Sequence, residues 1–311
     1  MKIDVHQHVL PPVYVEALNA SGISTAGGIP LPGWSPDAAL EMMDRQGIGT
    51  AVLSVSSPGV HFGNDAAARA LARACNEYTA RLVGDHPGRF GGFAVLPMPD
   101  VEGSLAELTW ALDTLALDGV VLMTSHADGR YLGDGSLDPV LEELNRRSAV
   151  AFVHPTLPPS PSSSVTIPGF ATEFVFDTSR AIANLVWTGA AERFPHIRFI
   201  FAHAGGTAPY LAWRWALLDT SPQMRERAPR GFLHYLRGFH YDTALSGSEF
   251  ALAALTKLVG AERILYGSDY PFAPEAVGAA SAKGLERFEG LGDEDRLAIG
   301  SGNAERLLGR R

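Results

Sequence analysis

The chain has 311 residues, 46% of them hydrophobic and 19% charged, with a mean hydropathy of +0.04. That is enough apolar material for a sizeable core and too much for a disordered chain. Twenty-five Lys and Arg against 34 Asp and Glu leave a net charge of −9, which argues against a nucleic-acid partner, and the single cysteine, Cys75, excludes disulfide frameworks and multi-cysteine metal or cluster sites.

No stretch approaches the ~20 uninterrupted apolar residues of a membrane span. The opening MKIDVHQHVL carries neither the apolar core nor the cleavage site of a signal peptide, so a cytoplasmic protein is expected.

In chain order, the patterning predicts a strand over Lys2–His8, a helix over Asp37–Gln46, a strand over Thr50–Val55 and a helix over Asp65–Asp85. The alternation continues with a strand at Phe90–Leu96, a helix at Ser104–Leu115, a strand at Gly119–Thr124 and a helix at Leu137–Arg147. A strand at Val150–His154 is followed by an unusual segment, Pro155–Phe176, rich in proline and serine and then in aromatics (Phe170, Phe174, Phe176). So long a connection reads as a lid-like or substrate-recognition insert rather than a linker. Helix Asp177–Arg193, strand Arg198–His203, helix Thr207–Leu217, strand Phe239–Ala244, helix Glu249–Val259, strand Arg263–Ser268 and a helical stretch from Pro274 complete the series. Eight strands alternating with eight helices predict a single-domain (β/α)₈ barrel spanning residues 1–311. Open-sheet nucleotide binders lose ground, because neither G-x-G-x-x-G after the first strand nor G-x-x-x-x-G-K-[ST] occurs.

His6 and His8 stand two apart on the first strand, where a period of two points both to one face. H-x-H alone is weak. Three further ionisable residues stand at the ends of apolar runs: His154 in VAFVHP, His203 in RFIFAHAGG and Asp269 in RILYGSDYPF. An ionisable group there needs a partner or a metal to offset its desolvation, and a divalent ion at one barrel rim accounts for all five residues at once. His61, His86, His126, His196 and His234 are expected on the surface, His240 packed or outward on strand seven, and Asp242 behind the rim.

The segments DVHQHVLPP, FGGFAVLPMPD, VAFVHP, ERFPHIRFIFAHAGG, FHYDTAL, YGSDYPF and GNAERLLG, in that order, resemble the amidohydrolase superfamily. Within it they resemble the branch of 2-amino-3-carboxymuconate 6-semialdehyde decarboxylase and the metal-dependent aromatic acid decarboxylases. The resemblance implies a distorted barrel and one divalent metal held at the positions of His6, His8, His154 and Asp269, with His203 poising water or substrate. It implies zinc first and manganese second, no organic cofactor, and a homodimer in which Arg214, eleven residues after His203, reaches the partner's active site. The stretch GGIPLPGWSPDAAL lacks the carboxylate-binding arginine of the muconate enzyme, whereas GWSPDAALEMMDRQGIGTAVLSVSSPGVHFG resembles the 6-methylsalicylate decarboxylase group. The expected reaction is therefore decarboxylation of a small hydroxylated aromatic acid, with Asp269 or His203 delivering a proton. Trp34 and Phe272, with Phe62, Phe170 and Phe174 as further candidates, would sandwich the ring. Hydrolysis of a lactone, amide or ester on the same barrel is the alternative. Since no lysine lies between Lys2 and Lys257, a bridging carboxylated lysine on a middle strand is excluded, which favours a single metal.

Overall fold

The computed structural model describes residues 1–159 and 166–309. Eight strands run in the order of the chain around one parallel sheet: β1 (Lys2–His8), β2 (Ile48–Ser54), β3 (Phe90–Val95), β4 (Gly119–Met123), β5 (Val150–His154), β6 (Arg198–Phe201), β7 (His240–Asp242) and β8 (Ile264–Leu265). The seam between β8 and β1 is closed by backbone bonds beyond the short last strand. Val5 N–H donates to the Tyr266 carbonyl (3.0 Å), Asp269 N–H to the His6 carbonyl (2.8 Å) and His8 N–H to the Tyr270 carbonyl (2.7 Å). The barrel follows from the sequence because β3, β4 and β5 are buried throughout, as continuous apolar runs covered on both faces require. Phe93 and Phe152 stack inside it with ring centroids 5.7 Å apart, filling the interior beneath the upper rim.

Strands six and eight are shorter than the apolar pattern suggests. Their continuations turn into left-handed backbone at His203 (φ 54°), Ala204 (φ 57°) and Asp269 (φ 64°), so the two functional residues stand just past the last ladder bonds rather than on them.

The helical frame differs from expectation at several ends. Helix Val101–Asp113 begins three residues early because the Asp100 carboxylate caps it, accepting from Gly103 N–H at 3.1 Å. The Pro155–Phe176 segment is loop only in part, since a helix runs over Gly169–Trp187 and Gly189 (φ 78°) separates it from a short turn at Ala190–Arg193. Residues 160–165 of that insert lie outside the described residues. A helix at Pro12–Ala20 and a small hairpin pairing Thr25–Ala26 with Ile29–Pro30 fold over the first strand's exit, and were not legible as periodic segments. No helix among the described residues is long and apolar enough to cross a membrane.

Candidate metal centre and active site

The C-terminal ends of β1, β5 and β8 bring His6, His8, His154 and Asp269 together. One potential ligand atom from each lies within 4.8 Å of all the others, and all four residues are buried. The orientation of each imidazole is set from behind. His6 Nδ1 donates to Asp242 Oδ2 at 2.8 Å, His8 Nδ1 to the Ser54 carbonyl at 3.3 Å, and His154 Nδ1 to the Pro155 carbonyl at 2.8 Å. With Nδ1 committed, Nε2 is the nitrogen each ring has left to offer. His6 Nε2 and His8 Nε2 stand 3.1 Å apart, and Asp269 Oδ1 lies 3.3 Å from the first and 3.1 Å from the second. Lone pairs facing one another at that distance in a dry pocket repel unless a cation lies between them. Three nitrogens and one carboxylate oxygen are the donor set a mononuclear divalent ion such as zinc takes.

The electrostatics carry the same demand. Burial opposes a charge on His6, but Asp242 and Asp269 outweigh it and raise its pKa to about 10. Burial lowers His8, while His154 is held well below the ordinary range by burial and by the neighbouring imidazoles His8 and His6. Burial would lift Asp269, yet His6 and His8 hold its carboxyl well below the usual carboxylate range. The pocket is thus arranged around one positive charge and has no room to protonate every ring.

Local backbone chemistry makes this packing possible. A Cβ on Gly267 would meet His6 Cβ at 2.8 Å, so the glycine of the GSD segment lets β8 pass close beside the first ligand. A Cβ on Gly206 would meet the Val175 carbonyl at 2.0 Å, which explains the second glycine of HAGG. The turn at His203 is held by its N–H, which donates to Asp242 Oδ1 at 3.0 Å, and by its Nδ1, which donates to the Ala244 carbonyl at 3.1 Å. Left-handed backbone at a non-glycine residue costs on the order of 1 kcal/mol, and Asp242 supplies the bonds that hold it. Asp242 therefore braces His6 and His203 together, and these three form a second close cluster sharing His6.

Around the cluster, Phe272 packs edge-on against His8 (5.4 Å between centroids), and Phe174 against His154 (6.0 Å). Trp34 packs against the small cluster of Leu10, Ala26 and Phe272, and its buried Nε1–H finds no acceptor among the described residues. Phe170 and Phe176, by contrast, are exposed, so of the insert's aromatics only Phe174 faces the site. Helical period accounts for Phe176, which is two residues past Phe174 and so on the opposite face, while Phe170 shares the face of Phe174 but lies in the first turn of the helix. A cavity of about 820 Å³ opens beside the rim, lined among others by Phe62, Met98, Met123, Thr156 and Leu157.

His126 lines this cavity too. It is buried rather than on the surface, its Nε2 has no partner among the described residues, and burial lowers its pKa to about 4. His61 is half-buried at the same cavity and pairs with Asp65 at 2.8 Å, while His86 is also half-buried. His196 and His234 are exposed, as expected, and His240 is packed. Arg214 is exposed on helix Ala208–Ala216, outside its own chain's metal cluster.

Two buried carboxylates near the rim were not legible in the sequence. Asp4 accepts from the Ser268 hydroxyl at 2.5 Å and from His6 N–H at 3.0 Å, tying β1 to the residue before Asp269, and burial raises its pKa to about 6. Asp177 accepts from Thr124, from Ser125 at 2.9 Å and from Tyr131 at 2.5 Å, fastening helix Gly169–Trp187 to the end of β4. The available signal for Asp4 was the one used for the histidines, an ionisable residue inside an apolar strand.

The amidohydrolase family model matches residues 3–310, and the chain belongs to that family. Among its relatives, the 6-methylsalicylic acid decarboxylase of Penicillium expansum is 34% identical over 314 residues, covering 99% of this chain and 96% of the relative. An amidohydrolase solved by structural genomics superimposes with a TM-score of 0.94 at 31% identity, covering 99% of this chain and 100% of that one. A dihydroxybenzoic acid decarboxylase from Polaromonas sp. JS666, solved with manganese and the inhibitor 2-nitroresorcinol, has a TM-score of 0.84 at 25% identity over 99% and 96% of the two chains.

Proposed function

We propose that the protein is a metal-dependent, non-oxidative decarboxylase of a small hydroxylated aromatic acid, 6-methylsalicylate-like in size and charge. The observation that carries this reading is the convergence of His6, His8, His154 and Asp269 with His203 beside a cavity of apolar wall. The decarboxylases among the relatives support it, as does the lack of a lysine on the middle strands. One divalent ion per chain would be held by those four residues and would supply positive charge for the acid's carboxylate and phenolate oxygens. The nitrogen-rich donor set suits zinc, and the carboxylate also accommodates manganese.

The protein's own residues do the rest. Phe174, Phe272 and Trp34 orient the ring and exclude water, and the unpartnered Trp34 N–H offers a donor to a substrate oxygen. Before CO₂ leaves, the ring carbon bearing the carboxylate must gain a proton. His203, with Nδ1 donating to the Ala244 carbonyl, presents Nε2 as the atom through which that proton passes. Asp269, whose Oδ1 faces the histidines, is the second group able to relay it. No organic cofactor takes part.

Two finer assignments rest on composition and surface. The single buried Cys75 suits a reducing cytoplasm. Arg214 shares its helix with the exposed Tyr210 and Trp213, and Phe250 stands exposed on the helix packed beside it, an apolar face that a homodimer would cover while Arg214 reaches the partner's substrate carboxylate. Mixing Arg214→Ala with His203→Asn subunits should then restore one working site per mixed dimer, and confirmed mixed dimers without rescue would remove the sharing.

The test of the reaction is turnover of a hydroxybenzoate panel in deuterated water by the metal-loaded enzyme. CO₂ should be released and one deuterium should appear on the carbon that carried the carboxylate. Cleavage of lactones or esters alone, with no CO₂ from any aromatic acid, would replace decarboxylation by hydrolysis.

A further inference from the structure

The opposite end of the barrel holds a cavity of about 650 Å³, bounded by the starts of β6, β7 and β8 and by helix Phe232–Gly238. Arg198, Arg230, Arg237, Arg263, His234 and His240 line it, in a chain whose net charge is −9. Its one lining carboxylate, Asp219, is occupied by the N–H of Phe232 at 3.0 and 3.2 Å. Arg230 is neutralised by Glu192 at 2.9 Å.

The other three guanidiniums have no carboxylate within ion-pair distance among the described residues, yet each is anchored by hydrogen bonds, Arg237 and Arg263 through one nitrogen and Arg198 through two. Arg198 Nε donates to the Ser148 carbonyl at 2.8 Å and its Nη1 to the Leu307 carbonyl, which leaves Nη2 as its free arm, while Arg237 Nε donates to the Leu258 carbonyl at 3.2 Å and Arg263 Nη1 to His240 Nε2 at 3.2 Å. His240 is itself buried, and its Nε2 accepts from a cation, so the ring is neutral and contributes no charge of its own. Like charges gathered on one cavity repel, and holding each side chain in place costs rotamer entropy, so a bound anion is what would repay the arrangement. Guanidinium forks match phosphate oxygens in geometry, and a cavity of this size exceeds a bare phosphate.

We propose that this pocket is a binding site for a phosphate group, carried free or on a small phosphate ester, with Arg198, Arg237 and Arg263 as its donors. The site is on the far face from the metal cluster and is independent of the decarboxylase reading.

Calorimetric titration of the metal-loaded enzyme with inorganic phosphate should show one saturable site per chain. The site should be kept in His8→Ala, which separates it from anion binding at the metal, and weakened at least tenfold in the double variant Arg237→Gln/Arg263→Gln. Ribose 5-phosphate binding more tightly than inorganic phosphate identifies an ester as the source, and equal affinities identify the free ion, both with the site upheld. In the wild-type protein, phosphate should also protect Arg237 and Arg263 from phenylglyoxal in peptide mapping, a readout that needs no variant to fold. Absence of saturable binding, equal binding by the double variant, unaltered labelling, or succinate binding more tightly than phosphate would each overturn the assignment.

Discussion

The two ends of the barrel solve opposite charge problems. At the C-terminal rim, three imidazole nitrogens and a carboxylate crowd into one buried pocket with Asp242 behind them, so lone pairs exceed protons and the space calls for a cation. At the N-terminal end, three guanidiniums face a cavity whose lining acid is already occupied, so donors exceed acceptors and the space calls for an anion. Burial is deep at the first and partial at the second, and this ranks the consequences of disturbing them: an unmatched charge is expensive where water is absent and cheap where it is present.

The largest effect should come from breaking the cation site. His8→Ala removes a nitrogen that stands 3.1 Å from both His6 Nε2 and Asp269 Oδ1. Elemental analysis should find well under one metal per chain, and decarboxylation should fall by about 10³-fold or more, since an open-sided three-ligand set loses both affinity and charge at the substrate. Full metal content and activity would dismantle the ligand assignment. Chelation of the wild-type enzyme should give the same loss, reversed by zinc or manganese.

Next comes His203. His203→Asn keeps a side chain of similar reach but no titratable nitrogen, so metal content and fold should persist while turnover drops by ~10²-fold. An unchanged rate would leave His203 as a brace of the turn only. Its N–H bond to Asp242 is the structural role already visible.

Much of this was legible in the sequence, and for a physical reason. Ionisable residues in apolar runs are costly, so His6, His8, His154, His203 and Asp269 stood out against their neighbours, and the eight strands stood out by continuous apolarity. What stayed hidden depends on long-range geometry. The Asp4–Ser268 bond joins residues at opposite ends of the chain, and Asp177 meets Thr124 across more than fifty residues. His126 was misplaced because its neighbours Ala127, Asp128 and Gly129 form a polar turn, which predicts exposure, while the fold tucks the ring under the rim beside Met123. The start of helix Gly169–Trp187 was missed because the proline- and serine-rich stretch before it masks the period.

The buried His126 supplies a pH test of the same rim. Its folded pKa is lowered to about 4, against an ordinary value of 6.5, because burial disfavours the charged ring. A depressed folded value means the contribution to stability is complete above pH 6.5 and is lost as pH falls through 4, because the unfolded chain takes the proton first. Between pH 7 and pH 5 this one group should cost about 2 kcal/mol of unfolding free energy. Urea unfolding at the two pH values should show that drop, and His126→Gln should flatten it by a similar amount. An identical slope in the variant would assign the acid sensitivity to other groups.

The smallest effect belongs to the open end of the barrel and has the opposite sense. Glu192 accepts from Arg230 Nε at 3.2 Å and Nη2 at 2.9 Å, and from Tyr235 O–H at 2.7 Å, making Arg230 the one neutralised guanidinium of the cavity. Glu192→Gln leaves the bonding shape and removes the charge. Exposed pairs of this kind are screened by solvent and contribute little, so the melting temperature should fall only slightly. The freed Arg230 adds a fourth unneutralised cation to a pocket that already holds three, and inorganic phosphate should bind about threefold more tightly. The gain should shrink as sodium chloride is raised, because a partly open site is screened within about 10 Å at 0.1 M salt. Unchanged phosphate binding in Glu192→Gln would mean that Arg230 turns away from the cavity once released, and that the anion site rests on Arg198, Arg237 and Arg263 alone.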